Sequence, residues 1–294
     1  MPQNRTQRSN AFYALIMAGG EGTRFAPLST PKKPKQFLKL IHPEKTLLQQ
    51  SVERLSQLFE PQNILVATNR RYVPLVKEQL PFLNDSQIFG ETQKKNTAPC
   101  LAWVSFQLMQ RNKDAVLMAI PSDQFITPEG VFCKTIRQAF EMAEKQNAIV
   151  TIGIPPTFAS THHGYLHKED SRVKEFVEKP DAKTAKHFLE NGNYFWNGGT
   201  FIFPVAKMVE AFQKFMPEIY SLLEKETRIE DFFEKTPAIS IDYAIMEKSK
   251  DLLVVEAPFT WSDVGTWESL ANLAKQHSLK LSKEVLEILE TRSV

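Results

Sequence analysis

Two cysteines in 294 residues, Cys100 and Cys133, are too few for a disulfide framework or a cysteine-based metal cluster. They fall in separate apolar patterns of helical spacing, as buried thiols do. No apolar run is long enough to span a bilayer, and the first residues, MPQNRTQRSN, lack the apolar core of a secretory signal. Charge of one sign is also missing: 36 Lys and Arg stand scattered against 34 Asp and Glu, so no basic face announces a nucleic-acid partner. The six histidines show no metal-ligand spacing with cysteines or acids, and there is no repeat or low-complexity tract. What remains is a globular protein, expected in the cytoplasm, with no membrane or nucleic-acid partner. Its 42% hydrophobic content can fill one large domain or two small ones.

The chain is organised around the stretch ALIMAGGEGTRFAPLSTPKKPKQFL. Phe12–Met17 is a short apolar run stopped by Gly19 and Gly20, the pattern of a strand buried on both faces. Gly19, Gly20 and Gly22 let backbone N–H groups approach a bulky anion, with Glu21, Thr23 and Arg24 beside them. Pro27, Pro31 and Pro34 then stiffen the loop and return Lys32, Lys33 and Lys35 to the same mouth, with no helix between. A glycine-rich turn after a strand also occurs as a plain connection. The absence of Gly-Lys-Ser/Thr excludes a P-loop, and Phe25 stands where a dinucleotide fingerprint needs its third glycine.

Downstream, helical spacing over 46–59, with Thr46 as N-cap, alternates with an apolar strand at 63–68. The alternation continues through a helix at 72–83, a strand at 86–90, a helix at 98–110, a strand at 115–120 and a helix at 128–146, up to residue 154. This pattern predicts an α/β, Rossmann-like, mixed but mostly parallel sheet flanked by helices, with ligands beyond the carboxyl ends of the strands. From residue 155 the texture becomes that of an α+β insertion: a strand at 173–177, a helix at 181–190, the aromatic YFWNGG, and a strand at 200–203. Those aromatics suit a sugar-binding wall, and equally a core. Helices over 205–233, a segment at 239–248, a strand at 252–256 and an amphipathic helix at 281–291 follow. Its apolar stripe is Leu281, Val285, Leu286 and Leu289. The expected organisation is a disordered tail over 1–11, a catalytic unit over 12–275 and a C-terminal helix within 276–294.

Two acids end strands. Asp123 follows the apolar AVLMAI and Asp263 follows LLVVEA, so the pair could hold one magnesium ion, which takes one or two protein carboxylates and completes its shell with phosphates. Each alone also reads as an N-cap or turn former. Glu91 and Asn96 lie in a polar loop at another strand end, with Thr97 as a serviceable N-cap. A carboxylate there can accept two parallel hydrogen bonds from the N1–H and N2–H2 edge of guanine. Glu178, Lys179 and Asn197 suit sugar hydroxyls and a phosphate, or an exposed strand end and a turn. Asp242 either bonds a ligand hydroxyl or caps the helix that follows it.

With GGEGTRFAPLSTPKKPKQFL, E-T-x-x-x-N-T-A-P at Glu91, PSDQ at Asp123, EKP at Glu178, YFWNGGTF, SIDYAIMEK and WSDVGTW in this order, the chain resembles the sugar-1-phosphate nucleotidylyltransferases. Among these it is most similar to the bacterial mannose-1-phosphate guanylyltransferases, over residues 12–267. The resemblance implies a nucleotidyltransferase (glycosyltransferase-A-like) fold and Mg2+ dependence. It implies transfer of GMP from GTP to a sugar 1-phosphate, with α-D-mannose 1-phosphate first, giving GDP-mannose and diphosphate. Glucose or heptose phosphates, or a non-catalytic regulatory paralogue, stay open as alternatives, and a homodimer is compatible. By resemblance, Gly19, Gly20, Gly22, Thr23 and Arg24 would hold the nucleotide phosphates, Lys35 would act with Arg24 at the reacting phosphate, and Glu91, Asn96 and Thr97 would face guanine. Asp123 and Asp263 would carry Mg2+, while Gly164, Glu178, Lys179, Asn197 and Asp242 would line the sugar-phosphate side. Phe25 and Ala26 replace the family's Leu and aromatic, and His162-His163 replace its Gly-Tyr, which leaves the sugar open. Family members continue past WSDVGTW into a C-terminal β domain, where this sequence continues into a helix.

Overall fold

The computed structural model describes residues 11–292. The tail expected over 1–11 lies outside them except for Ala11, whose carbonyl accepts from the Val116 N–H at 2.8 Å. The strands are β1 (Phe12–Met17), β2 (Ile64–Asn69), β3 (Ile88–Glu91), β4 (Val116–Pro121), β5 (Phe125–Thr127), β6 (Ile149–Ile154), β7 (Tyr165–Glu169), β8 (Arg172–Val177), β9 (Tyr194–Pro204), β10 (Leu252–Glu256) and β11 (Thr260–Ser262). Nine form one sheet in the order β3-β2-β1-β4-β9-β6-β10-β8-β7, and β5 pairs with β11 in a separate ribbon.

Helices cover both faces because the central strands are apolar on both. In β4, Met118 and Ile120 face one core while Leu117 and Ala119 face the other. The first core receives α1 (Leu47–Leu55), α2 (Val73–Gln79), the long α4 (Glu129–Gln146) and α5 (Ala182–Asn191). The second receives α3 (Thr97–Arg111), α6 (Val205–Phe215), α7 (Pro217–Lys225), α8 (Ile229–Lys235) and the single turn α9 (Ile241–Ala244). Thr46 caps α1 in a capping box with Gln49. A third cluster joins Phe25 and Leu40 from the glycine-rich loop to α10 (Trp267–His277) and α11 (Lys283–Thr291).

Several expectations are corrected. The sheet is mixed rather than mostly parallel: β1 pairs parallel with β2 and β4, β2 with β3, and β6 with β10, but β9 runs antiparallel between β4 and β6. The hairpin β7–β8 adds further antiparallel pairs. The strand expected at 200–203 begins earlier, since YFWNGG opens the eleven-residue β9; of the two readings of its aromatics, the core holds for Tyr194 and Trp196, which are buried. Lys32 and Lys33 do not return to the mouth of the loop, because both lie on the exposed turn before a 3-10 turn, Lys35–Phe37. Thr97 is not the N-cap of α3; Asn96 is, its Oδ1 accepting from the Thr97 N–H at 2.9 Å. Asp242 does not cap a helix, since Ser240 caps α9. On α11 the buried residues are Val285 and Leu289, whereas Leu286 is exposed.

Candidate active site

The carboxyl ends of β1, β3 and β4 open into one cleft of about 470 Å3, lined by Gly19, Gly20, Gln36, Glu91, Asn96, Thr97 and Asp123 among others. A second cleft of about 260 Å3 lies against it and is lined by Arg24, Lys35, Asp123, His163, Gly164, Glu178, Lys179, Asn197 and Asp263 among others. Asp123 lines both. Of the residues expected to bind nucleotide, Gly19, Gly20, Glu91, Asn96 and Thr97 line the first cleft, whereas Arg24 lines the second with Gly164, Glu178, Lys179 and Asn197, and Gly22, Thr23 and Asp242 line neither.

The ribbon β5–β11 explains how two acids 140 residues apart meet. Its antiparallel register sets Ser262 opposite Phe125, so the chain leaving β11 reaches Asp263 beside the segment that enters β5 from Asp123. Between them sits Lys35, 5% exposed. Its Nζ donates to Asp123 Oδ2 at 2.9 Å and to the Asp263 carbonyl at 2.7 Å, above the Phe25 ring at 5.5 Å. An ammonium has three N–H donors, so one stays free for a ligand. Burial opposes ionisation of Asp263, but the pull of His163, Lys35 and Arg24 outweighs it and holds the carboxyl below its usual range. Gly265 is needed here, because a Cβ would stand 2.8 Å from Asp263 Oδ2.

The glycine-rich loop works differently from the expected cradle. Of its three glycines, Gly22 alone is forced: its φ is +59°, and a Cβ would come within 2.2 Å of Lys35 Cβ. Gly22 therefore lets the loop pack directly on the residue that carries the Lys35 ammonium. Gly22 and Thr23 line neither cleft. Gln36 ties the loop down by donating from Nε2 to the carbonyls of Ala18 (2.7 Å) and Gly20 (2.9 Å). Glu21 turns outward to Lys94 (3.3 Å) and Arg71 (3.2 Å). No motif pointed to the part played by Gln36, since a glutamine has no characteristic spacing.

Glu91 closes the nucleotide side. Burial pushes its carboxyl up to about 7, and the neighbouring Cys100 thiol acts weakly the other way. Gly19 is close enough that a Cβ would touch Glu91 Oε2 at 3.6 Å. The Thr97 hydroxyl faces away and accepts from the Ile241 N–H at 2.8 Å, joining this loop to α9. On the sugar-phosphate side Glu178 pairs with Lys179 at 2.8 Å, and Asn197 Nδ2 donates to Asp242 Oδ1 at 2.9 Å. Asp242 stands behind Asn197; burial, then the Glu178 charge, raise its carboxyl to about 6. Gly164 leaves room for Glu178: a Cβ would lie 2.5 Å from its Oε2, so any side chain here would push that carboxylate aside. Gln124 Nε2 holds the Gly198 carbonyl at 2.7 Å.

Three of the six described non-glycine residues with positive φ lie at this site. Asn96 (φ 66°), Lys179 (φ 48°) and Val264 (φ 45°) adopt left-handed backbone without being glycine. For a buried β-branched residue such as Val264 this costs about 1–3 kcal/mol, and such strain persists where surrounding packing fixes it at a working site.

The chain belongs to the nucleotidyl transferase family, whose model matches residues 13–279, and the mixed α/β sheet with two adjoining clefts is in keeping with that membership. Its relatives include the mannose-1-phosphate guanylyltransferase of Escherichia coli, 35% identical over 92% of this chain and 63% of that protein. Mannose-1-phosphate guanylyltransferase 2 of Escherichia coli O157:H7 is 38% identical over 89% of this chain and 59% of its own. The chain thus spans about three fifths of the length of these curated relatives. The solved structure named as a mannose-1-phosphate geranyltransferase from Thermus thermophilus superposes with a TM-score of 0.82 at 33% identity, covering 90% of this chain and 79% of that one.

Proposed function

We propose that this chain transfers GMP from GTP to a sugar 1-phosphate, α-D-mannose 1-phosphate first among them, releasing diphosphate. The observation that carries the reading is Lys35, held between Asp123 and Asp263 where the two clefts meet. A sugar-phosphate oxygen attacks the α-phosphorus of GTP, a P–O bond forms, and the bond to the β-phosphate breaks with its electron pair leaving on diphosphate. Two anionic substrates must be brought together, so the chain's task is positioning and charge. Lys35 offers its free N–H to the α-phosphate, and Arg24 adds a second cation on the sugar side. Glu91 accepts from guanine, assisted by Asn96, while Gly19 and Gly20 leave room for phosphates. Glu178, Lys179 and Asn197 orient the sugar phosphate, with Asp242 fixing Asn197.

Asp123 meets the Lys35 ammonium through its carboxylate and Asp263 through its backbone carbonyl, and their two part-exposed carboxylates make an all-oxygen donor set that fits a hard cation drawing its other ligands from phosphates. A magnesium ion held there would neutralise charge on the reacting phosphate oxygens. The catalytic unit in this reading is 12–275, followed by the C-terminal helix α11 (Lys283–Thr291), acting in the cytoplasm. A matrix of GTP, ATP and UTP against mannose, glucose and heptose 1-phosphates, read by diphosphate release, tests it. Turnover with GTP and mannose 1-phosphate ahead of the other pairs is expected, and no turnover with any pair would overturn it.

A further inference from the structure

His163 is a residue for which the reaction just described has no use. It lines the sugar-phosphate cleft beside Gly164, yet among the described residues neither of its ring nitrogens has a hydrogen-bond partner, and both are shielded from solvent. Its ring is held by aromatic neighbours. Trp196 lies at 4.7 Å between centroids, Trp261 at 5.5 Å, and Phe158 at 6.4 Å. The indole N–H groups of Trp196 and Trp261 are themselves buried without acceptors. Leaving a buried polar group unsatisfied is costly, so an orphaned imidazole beside two orphaned indoles is an expensive arrangement for packing alone.

The geometry gives it a direction. Trp261 is two residues before Asp263 on β11, and Trp196 is next to Asn197 on β9, so the imidazole is wedged between the two strands that present the acid and the sugar-side amide. Its Nε2 lies 3.9 Å from Asp263 Oδ2. That gap is outside hydrogen-bond range, and a shift of about 1 Å closes it. Indole nitrogens only donate, so the polar atoms of the rings flanking His163 offer it nothing to donate to. Asp263 is the acceptor within reach.

We propose that His163 is a positioning residue: it donates from Nε2 to the Asp263 carboxylate, fixing that carboxylate's orientation toward a divalent cation shared with Asp123. The inference rests on the reading of Asp263 as a metal ligand. Groups that hydrogen-bond to ligating carboxylates set their direction, and removing one lowers metal affinity about 10- to 100-fold. The aromatic cage keeps the imidazole from rotating away, and the proximity of Asp263 decides which nitrogen carries the hydrogen.

Mn2+ added to the purified chain, followed by electron paramagnetic resonance of the free ion, tests this without reference to turnover. Wild-type protein should bind Mn2+, and Asp263→Asn should not. His163→Phe keeps the ring packing and removes the donor; it should bind Mn2+ about 10- to 100-fold more weakly with a Tm equal to or above wild type, because two orphaned nitrogens are gone. His163→Gln restores a donor and should recover part of the affinity. Wild-type affinity in His163→Phe overturns the proposal while leaving Asp263 as a ligand. A fall in Tm that accompanies the loss, with no recovery in His163→Gln, overturns it in favour of packing. Equal Mn2+ binding by wild type and Asp263→Asn would instead refute the metal reading, and the proposal with it.

Discussion

Lowering the pH from 8 to 6 should weaken GTP binding about tenfold through one carboxyl, that of Glu91. Burial raises this group to about 7 in the free protein. Guanine presents two donors, N1–H and the exocyclic amine, and needs both oxygens as acceptors; a protonated carboxyl sets its own O–H against one of them. If the carboxylate alone binds, the apparent Kd grows by the factor 1 + 10^(7 − pH), about 1.1 at pH 8, 2 at pH 7 and 11 at pH 6. The same linkage requires proton release on binding, about 0.9 per GTP at pH 6 and 0.1 at pH 8. Calorimetry in two buffers of different ionisation enthalpy counts those protons directly. Stability runs in the opposite sense. The native carboxyl holds its proton up to about 7 and the unfolded one only to about 4.5, so the Glu91 contribution falls as pH rises through this window, by about 3 kcal/mol, and is flat above it. Glu91→Gln has no such proton; it should narrow the gap between GTP and ATP and keep only the pH dependence of the phosphates. Parallel pH profiles for wild type and Glu91→Gln, or no proton release at pH 6, would refute the reasoning.

Other outcomes follow from the same geometry. Asp123→Asn and Asp263→Asn should each nearly abolish turnover with the far-ultraviolet circular dichroism unchanged, and excess chelator should do the same to wild type; full activity in chelator would defeat this. Lys35→Ala should lower kcat about 100- to 1000-fold with a smaller change in the KM for GTP, since a cation at the reacting phosphate acts most as charge develops there; a change confined to KM would remove its role. Gly164→Ala displaces the Glu178 carboxylate, so the KM for the sugar phosphate should rise about tenfold or more while that for GTP holds, as steady-state kinetics with each substrate varied would show.

What the sequence revealed depended on whether a residue acts through a local pattern. β1 and β4 were legible because runs apolar on both faces have one reading, and Glu91, Asp123 and Asp263 because each ends a strand. The three-residue strands β5 and β11 are too short for periodicity, yet their pairing is what brings Asp123 and Asp263 to Lys35. β7 escaped notice because YLHKE alternates too little to mark a buried face. The capping residue of α3 was misplaced by one position, as Asn96 and Thr97 are both good caps and the choice falls to the tertiary bond from the Ile241 N–H to Thr97. Gln36, Gln124 and His163 act entirely through partners distant in sequence.

The third cluster ties the beginning of the chain to its end, and this sets an order of events during synthesis. Phe25 and Leu40 are made early, but Val285 and Leu289, which cover the same cluster, emerge some 250 residues later. Arg292 then completes the enclosure, donating to the Ala26 carbonyl at 3.1 Å while its guanidinium lies over Trp267, whose indole N–H donates to that same carbonyl at 3.3 Å. On the ribosome the loop beside Arg24 must wait with an apolar underside exposed, because this long-range closure cannot form until α11 is released. The packing beneath this loop is therefore completed only after α11 has emerged, although Phe25 and Leu40 are translated well before it.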